Sequence, residues 1–427
     1  MKYHSLNNNS EAVSFKEAVV KGLAPDRGLY FPEHITPLSK ELIENLDQYS
    51  NEEIAFEAIK QFVSDEIPSN TLRQIVSETI NFDFPVVTLQ ENIGTLELFH
   101  GPTLAFKDVG ARFMARCLGY FNAKNTEKVI VLVATSGDTG GAVANGFLGV
   151  DGVDVVILYP SGKVSEIQEK QLTTLGQNIT ALEVNGVFDD CQDMVKSAFL
   201  DNEISRQLTS ANSINVARWL PQMFYYFFAY KQLYKQHSNI VFSVPSGNFG
   251  NICAGMMAQK LGLPIRHFIA ATNVNDTVPQ FMKDGKYNPK ASKPTISNAM
   301  DVGNPSNFIR IQKLFNHSLE DLQSIFSSYS FSDELTKDAM QRIYNNSNYI
   351  ADPHGAVGYL GLENYQLKND EFGVFLETAH PVKFLDVVES TLDKKIEIPK
   401  DIKEIITKEK KSIAISTYED LKSFLNK

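Results

Sequence analysis

From about residue 95 onward, the sequence alternates short, continuous apolar runs with segments of helix length. The runs are rich in β-branched residues, which is typical of strands buried on both faces of a parallel sheet. We place these strands at 129–134, 153–159, 179–184, 240–244, 267–271 and 373–378. Helix-length segments lie between several of them, at 140–148, 166–175, 189–199 and 250–261. This βαβ repetition predicts an α/β protein.

The residues before this alternation are acidic and patterned for helices, at 14–21, 39–48, 51–64 and 69–79. At about 150 residues per domain, a chain of 427 residues suggests two or three domains. We expect a mainly helical N-terminal region over 1–92. A larger domain over 93–125 and 230–427 and a smaller, mobile domain over 126–229 complete the predicted division.

Composition argues against several classes of partner. The net charge is −11 and no long basic run occurs, so we expect no nucleic-acid binding. Three widely separated cysteines and histidines without ligand spacing predict neither a disulfide framework nor a metal site. The polar first ten residues lack an apolar signal core, and no apolar run approaches about 18 residues. We therefore expect a cytoplasmic protein that does not enter a membrane.

Two glycine-rich loops follow predicted strands, where open α/β sheets bind ligands. One contains Ser246, Gly247, Asn248, Phe249, Gly250 and Asn251 directly before a helix. Exposed N–H groups and the helix dipole at such a junction suit a phosphate. Neither the Gly-Lys-Ser/Thr ending of an ATP loop nor a G-x-G-x-x-G pattern is present, so neither ATP nor NAD is favoured. A plain strand–turn–helix junction is the alternative.

The second loop contains Ser136, Gly137, Asp138 and Thr139, and it also opens a helix. Its hydroxyl and N–H groups suit a carboxylate. A helix cap with flexible glycines fits these residues equally well. Two such loops in one protein suggest a phosphorylated ligand and a carboxylated one.

Lys107 and Thr378 are the remaining candidates for chemistry. Lys107 follows a Gly-Pro turn and lies among apolar residues. A desolvated lysine has a lowered pKa and a nucleophilic amine, which suits Schiff-base formation. Thr378 ends the last predicted strand, where its hydroxyl can meet a ring nitrogen. Taken singly, a solvated lysine and a structural threonine are the commoner interpretations.

Together these segments resemble the threonine synthase family of pyridoxal 5'-phosphate (PLP) enzymes. The matching residues run from Val13-Ser14-Phe15 to Thr378-Ala379-His380-Pro381, over essentially the whole chain. The most specific segments are His100–Thr103 with Phe106–Asp108, Thr135–Gly140, Ser210–Asn215 and Ala271–Thr277. The resemblance implies PLP fold type II, in which two parallel-sheet αβα domains hold the cofactor in their cleft.

The resemblance also implies roles for individual residues. Lys107 forms a Schiff base with PLP next to Phe106, and Thr378 meets the ring nitrogen. Ser246, Gly247, Asn248, Phe249, Gly250 and Asn251 hold the cofactor phosphate. Thr103, Ser136, Gly137, Asp138 and Thr139 bind substrate, chiefly its carboxylate. For the substrate phosphate, Lys163 is the first candidate, followed by Arg112, Ser213, Asn275 and Asp276.

The activity implied is conversion of O-phospho-L-homoserine and water to L-threonine and phosphate, by γ-elimination and β-replacement. A threonine or serine dehydratase, an enzyme that eliminates phosphate without adding water, and a non-catalytic metabolite-binding protein are the alternatives. We expect a monomer or a homodimer. One departure from the wider fold is Asp138, where cysteine synthase-like relatives have asparagine. This leaves the partner of the cofactor phenolate oxygen open, with Asn248 or a backbone N–H as candidates.

Overall fold

The computed structural model describes residues 1–123 and 127–427. The strands are β1 (Tyr3–Ser5), β2 (Tyr30–Pro32), β3 (Val86–Gln90), β4 (Ile93–Glu97), β5 (Val129–Ala134), β6 (Val153–Pro160), β7 (Ile179–Val184), β8 (Leu208–Thr209), β9 (Asn239–Pro245), β10 (Ile265–Thr272), β11 (Phe326–Ser330), β12 (Glu371–Glu377) and β13 (Ile413–Ile415).

The helices of the first half are α1 (Phe15–Lys21), α2 (Lys40–Glu44), α3 (Asn51–Val63), α4 (Ser69–Thr79), α5 (Lys107–Asn122), α6 (Asp138–Phe147), α7 (Glu166–Thr173), α8 (Phe188–Leu200) and α9 (Val216–Trp219). Those that follow are α10 (Phe224–Leu233), α11 (Gly250–Lys260), α12 (Thr277–Asp284), α13 (Phe308–Leu314), α14 (Leu319–Ile325), α15 (Asp333–Ser347), α16 (Pro353–Tyr365), α17 (Leu385–Leu392), α18 (Lys400–Ile406) and α19 (Tyr418–Leu425).

Two mainly parallel sheets carry the fold. The larger has the order β11-β10-β9-β12-β4-β3, and the smaller has the order β13-β7-β6-β5-β8. The β3–β4 pair is antiparallel, whereas the other neighbours in both sheets are parallel. Every residue of β5 is buried, as expected for a strand covered on both faces. The α/β prediction is confirmed.

The N-terminal region is mainly helical, as the sequence indicated. Ser14 and Ser50 each begin a helix with a capping box, in which a glutamate three residues later returns the hydrogen bond. The buried face of α3 includes Ile54, Ile59 and Phe62. In addition, β1 and β2 form a two-stranded antiparallel ribbon that the helical pattern did not predict.

The end of the chain returns to the smaller sheet. β13 pairs with β7 in parallel, and Ile415, Leu421 and Leu425 are buried in that sheet's hydrophobic cluster. The predicted division placed all of 230–427 in the larger domain, so it differs from the structure at this strand. A three-residue strand with two exposed positions has too little pattern to be recognised.

The predicted boundary between 125 and 126 lies outside the described residues. Within the described residues, no helix combines the length and the apolar character needed to cross a membrane.

Candidate active site

The loop before Lys107 is fixed to the end of β12. The Phe106 N–H donates to the Thr378 carbonyl at 2.9 Å, and the His380 N–H donates to the Leu104 carbonyl at 3.0 Å. The hydroxyl of Tyr225 donates to the Phe106 carbonyl. Lys107 is then the first residue of α5. These bonds bring Lys107 and Thr378, which are far apart in sequence, into one site.

The Lys107 amine is buried, although the residue as a whole keeps some exposure. Within the described chain, its nitrogen has no hydrogen-bond or ion-pair partner, and it lies 5.8 Å from the centre of the Phe106 ring. Burial lowers the pKa of Lys107 to about 8, against the opposing effect of Asp138 and together with the charges of Arg218 and Lys383. A substantial fraction of this amine is therefore neutral and nucleophilic near neutral pH.

The loop from Ser246 to Gly250 joins β9 to α11, beside the end of β12. The Ser246 N–H donates to the Ala271 carbonyl at 2.9 Å, and Phe249 adopts a left-handed conformation with φ 62°. The Asn251 side chain donates to the Pro245 carbonyl at 2.9 Å, which closes the loop. The helix N-terminus that follows presents free N–H groups.

Two residues of this loop have environments that constrain their roles. A Cβ on Gly247 would lie 2.9 Å from the Ala299 carbonyl oxygen, so only glycine fits. The side-chain oxygen of Asn248 accepts from the N–H and the hydroxyl of Ser306, at 3.3 and 3.1 Å. Its amide NH₂ has no hydrogen-bond partner among the described residues and is free to donate.

These residues fit PLP. A buried amine without a partner suits attachment of the aldehyde, and a glycine-tight helix N-terminus suits the phosphate. Thr378 is 6% exposed and lies at the end of the strand next to β9, where a hydroxyl can face a ring nitrogen. The order β9-β12 thus places the phosphate loop and the hydroxyl side by side.

The second predicted loop lies at the end of β5 in the smaller sheet. The Thr135 hydroxyl oxygen accepts from the N–H groups of Gly137 and Gly140, at 3.0 and 2.9 Å. Gly137 has φ 150°, and a Cβ there would lie 2.5 Å from the Gln168 side chain. Ser136 and Thr139 are half-buried, and no hydrogen bond to their hydroxyls occurs among the described residues. Both hydroxyls are available to a ligand.

Asp138 joins the two sheets through a buried ion pair. Its Oδ1 lies 2.6 Å from Nζ of Lys383, which follows β12 in the larger sheet, and it also accepts from Gln168 at 3.0 Å. Burial alone would raise the pKa of Asp138, but Lys383 and Lys107 outweigh it and hold the pKa well below its usual range. An ionised Asp138 accepts hydrogen bonds only.

Of the predicted substrate ligands, Thr103 and Lys163 lie on the side of the Asp138 loop. Thr103 is beside the ion pair, and its carbonyl accepts from Lys383 and Gln171. Its hydroxyl is already bonded to Asp108 at 2.5 Å. Lys163 is exposed in the turn after β6, on the same edge of the smaller sheet as the Asp138 loop.

Arg112 does not come to the site. Its guanidinium donates to the Glu78 carbonyl and, at 2.9 Å, to Asn81, at the end of α4. Five residues along a helix rotate a side chain by about 140°, so Arg112 and Lys107 face different directions. Its predicted role as a substrate ligand is not supported by this placement.

Ser213, Asn275 and Asp276 are held by protein groups. The Ser213 hydroxyl accepts from Asn307 at 3.0 Å, next to Gly250, so it lies by the cofactor loop. Asn275 exchanges hydrogen bonds with the backbone of Lys293. Asp276 accepts from Gln280 at 2.7 Å, close to Lys290.

Two buried cations were missed from the sequence. Lys383 is 2% exposed and Arg218 is 4% exposed. Burial lowers the pKa of Arg218 to about 10, and its Nη1 has no partner among the described residues. The one available signal was a charged residue inside an apolar stretch, as in Ala217-Arg218-Trp219.

Family models match almost the whole chain. A pyridoxal-phosphate dependent enzyme model matches residues 92–375. A threonine synthase N terminus model matches residues 2–80, and a threonine synthase C-terminal model matches residues 355–425.

Similar proteins agree with these matches. Threonine synthase from Escherichia coli is 45% identical over 407 residues, which is 95% of this chain and 94% of that protein. The counterpart from Buchnera aphidicola (strain APS) is 45% identical over 94% of each chain. The crystal structure of the E. coli enzyme superposes with a TM-score of 0.92 over 100% of this chain and 99% of that one, at 43% identity.

A crystal structure of PLP-bound threonine synthase from Brucella melitensis has a TM-score of 0.93, 34% identity, and covers 100% of this chain and 99% of that one. A tomato threonine deaminase has a TM-score of 0.56 at 15% identity, which is a likeness of fold alone.

Proposed function

Because the chain belongs to the threonine synthase family of PLP-dependent lyases, we propose that it converts O-phospho-L-homoserine and water to L-threonine and phosphate. The observation that carries the proposal is the buried, unpaired Lys107 amine, which has the buried cations Arg218 and Lys383 near it. Lys383 is paired with Asp138, and the buried carboxyl group of Asp108 also lies near Lys383 and Arg218. Nη1 of Arg218, however, has no partner among the described residues. Such a site favours an anionic substrate.

PLP, when bound, supplies an electron sink for negative charge that develops on the substrate carbons. The Lys107 amine carries the cofactor and, once released from it, removes the proton from Cα and then one from Cβ. Phosphate leaves from Cγ, and one proton is delivered to Cγ, which becomes the methyl group. Water then adds its hydroxyl at Cβ while a second proton is returned to Cα. An amine with a pKa of about 8 can both accept and return protons near neutral pH.

We assign the substrate carboxylate to the free hydroxyls of Ser136 and Thr139 and to the N–H group of Asp138, which opens α6, since the Gly137 N–H already donates to Thr135. Lys163, on the same edge of the smaller sheet, stays the first candidate for the substrate phosphate, with Arg218 added to it. We keep Phe106, Ser246 to Asn251 and Thr378 as the proposed cofactor contacts.

The smaller domain is proposed to close over the substrate. It carries the Asp138 loop, and the ion pair with Lys383 joins it to the larger sheet. Closure would exclude bulk water and prevent early release of intermediates. We also propose a cytoplasmic location and a monomer or homodimer.

The test is turnover of O-phospho-L-homoserine by the purified holoenzyme, with phosphate and amino acid measured together. Equal amounts of phosphate and threonine are expected, and Lys107→Ala should abolish both. Phosphate with 2-oxobutyrate instead of threonine would indicate elimination without water addition. Turnover of free threonine or serine, with no phosphate substrate, would indicate a dehydratase.

A further inference from the structure

A cluster of Asp352, His354 and Glu377 lies directly behind Thr378 and takes no part in the proposed chemistry. The Asp352 N–H donates to Oε1 of Glu377 at 2.5 Å. Asp352 Oδ1 accepts from the backbone N–H of His354 at 2.7 Å and lies 2.6 Å from its Nδ1. Asp352 and Glu377 are both 0% exposed, and His354 is 2% exposed.

The hydrogen bonds define the protonation of His354. The Ala299 N–H donates to its Nε2 at 3.3 Å, so Nε2 carries no proton. Nδ1 then carries the proton and donates it to Asp352. This neutral tautomer leaves Asp352 as the acceptor of the pair.

The two carboxyl groups need one shared proton. Asp352 Oδ2 and Glu377 Oε2 are both buried, and neither has a partner in the described chain. Two adjacent buried carboxylates cannot both be ionised without a large cost. Burial first, and then the charge of Asp352, raise the pKa of Glu377 well above its usual value. A proton carried by Oε2 of Glu377 and donated to Oδ2 of Asp352 gives each of these two oxygens a hydrogen-bond partner.

The charged groups around the cluster do not allow both carboxyl groups to be ionised, so the shared proton is still needed. Glu97, next to β12 on β4, adds a further negative charge and is bonded to Tyr349 and His100. Asp301, on the loop from 297 to 301, lies on the other side near His354. Lys383 is committed to Asp138 and Thr103.

The cluster touches both ends of the proposed cofactor site. Glu377 immediately precedes Thr378, and its side chain fills the space at Gly355, where a Cβ would lie 1.4 Å from Oε2. At the other end, His354 holds Ala299, whose carbonyl oxygen would lie 2.9 Å from a Cβ on Gly247. One chain of contacts therefore runs from Thr378 to Gly247.

We propose that Glu377, Asp352 and His354 are positioning residues that share one proton and fix Thr378 and the Gly247 loop relative to each other. They thereby fix the distance between Thr378, at the ring end of the PLP site, and Gly247, at its phosphate end. The inference rests on the proposed cofactor contacts of Thr378 and Gly247, and it does not depend on the identity of the amino-acid substrate.

The test compares Glu377→Gln, Glu377→Leu and Asp352→Asn by PLP affinity and cofactor absorption. Gln keeps an N–H donor for Asp352 and an acceptor for its N–H, so Glu377→Gln should bind PLP within about threefold of the parent. Glu377→Leu leaves Asp352 without that donor, so its PLP affinity should fall about tenfold and its absorption should change. Asp352→Asn keeps one donor toward an ionised Glu377 and still caps α16, so it should also bind PLP within about threefold of the parent.

His354→Asn separates the two ends of the site, because the asparagine amide can lie at the Nδ1 position beside Asp352 but cannot reach the Ala299 N–H. It should shift the phosphorus NMR signal of the bound cofactor, because the Ala299 contact is lost, and leave the absorption maximum in place. Leu421→Ala, in the smaller sheet's core, is the control for general destabilisation and should change neither signal.

Two results would overturn the proposal. One is Glu377→Leu binding PLP as well as the parent does, with unchanged absorption. The other is Glu377→Gln failing as badly as Glu377→Leu, because a shared proton would then have no role. Every readout is taken without amino-acid substrate. A parent enzyme that releases no phosphate would therefore refute the proposed function and leave this inference standing.

Discussion

At the scale of single residues, the site depends on opposing charges in a buried place. Desolvation and two neighbouring cations disfavour the charged form of Lys107, whereas Asp138 favours it. Lys383 and Lys107 in turn keep Asp138 ionised despite its burial. Burial and these charges together leave an amine that is reactive near neutral pH, and the unpartnered Nη1 of Arg218 is a group that can attract an anion.

The first prediction concerns the pH dependence of cofactor uptake. Only the neutral Lys107 amine attacks the PLP aldehyde, so the rate of uptake by apoenzyme should rise with pH and be half-maximal near pH 8. The change in cofactor absorption after mixing measures this rate. Lys107→Ala should show no such change, and a half-maximal point near the ordinary lysine pKa of about 10.4 would contradict the prediction.

The second prediction concerns Lys383. Lys383→Met leaves Asp138 buried without its cation, which should cost about 3 kcal/mol of the free energy of unfolding at pH 7. The deficit should narrow toward acidic pH, because an unpaired Asp138 takes up a proton there. Urea unfolding followed by the fluorescence of Trp219, the single tryptophan of the chain, measures it. Lys400→Met removes an exposed lysine and should change stability by less than about 0.5 kcal/mol.

The third prediction contrasts two arginines. Arg218→Met removes a buried guanidinium with a free Nη1, so kcat/KM for O-phospho-L-homoserine should fall about 30-fold. Arg112→Met is the matched control, since its guanidinium faces the end of α4, and kcat/KM should stay within about threefold of the parent. An equal effect of the two changes would remove Arg218 from the substrate site.

At the scale of elements, long apolar strands were the most predictable part of the fold. The bounds predicted for β5 and β7 agree with the structure, and those of β6, β9, β10 and β12 agree within two residues. β11 was missed because Phe326–Ser330 contains three serines and little apolar pattern. Short strands such as β8 and β13 gain their stability from pairing, which a local pattern does not reveal.

The site residues, like the strands, were predictable only where the sequence carries a local pattern. Loops with several glycines and hydroxyls in a row were visible in the sequence, and the structure brings the loop before α11, Lys107 and Thr378 together. Lys383, Arg218 and Glu377 were not visible, because a single charged residue carries no spacing. Only tertiary contacts distinguish these buried groups from ordinary surface charges.

The fourth prediction belongs to the junction of β9 and α11. A methyl group at Gly247 would meet backbone atoms of 299 and 300 at 2.9 Å, so Gly247→Ala should push the loop apart and weaken PLP binding by about tenfold or more. Titration of apoenzyme with PLP measures the affinity. Gly149→Ala strains a left-handed glycine away from this loop, and it should lower stability without changing the PLP dissociation constant.

At the scale of the whole molecule, the two sheets are joined by the Asp138–Lys383 pair and by the last segment of the chain. Lys410 pairs with Glu169 and Glu183 of the smaller sheet's domain, at 2.6 and 2.8 Å. Further on, Lys422 lies 2.9 Å from Asp201. The smaller sheet is therefore completed from outside its own stretch of sequence.

The fifth prediction tests this completion. Ending the chain after Lys411 removes β13 and α19 and exposes the edge of β7, so the protein should aggregate and its β7 amides should lose protection from hydrogen exchange. Ending the chain after Leu425 keeps the strand and the buried leucines, and this control should stay soluble. Unchanged protection of β7 in the shorter protein would show that β13 is dispensable.

The position of β13 also has a consequence for synthesis on the ribosome. Ser412 and its partner Glu183 are 229 residues apart. At 5–20 residues per second, β7 emerges roughly 10–45 seconds before the strand that covers its edge. During that interval the nascent chain presents an open β edge while the larger domain is still being made. Translation speed in the second half of the message should therefore affect the yield of folded protein.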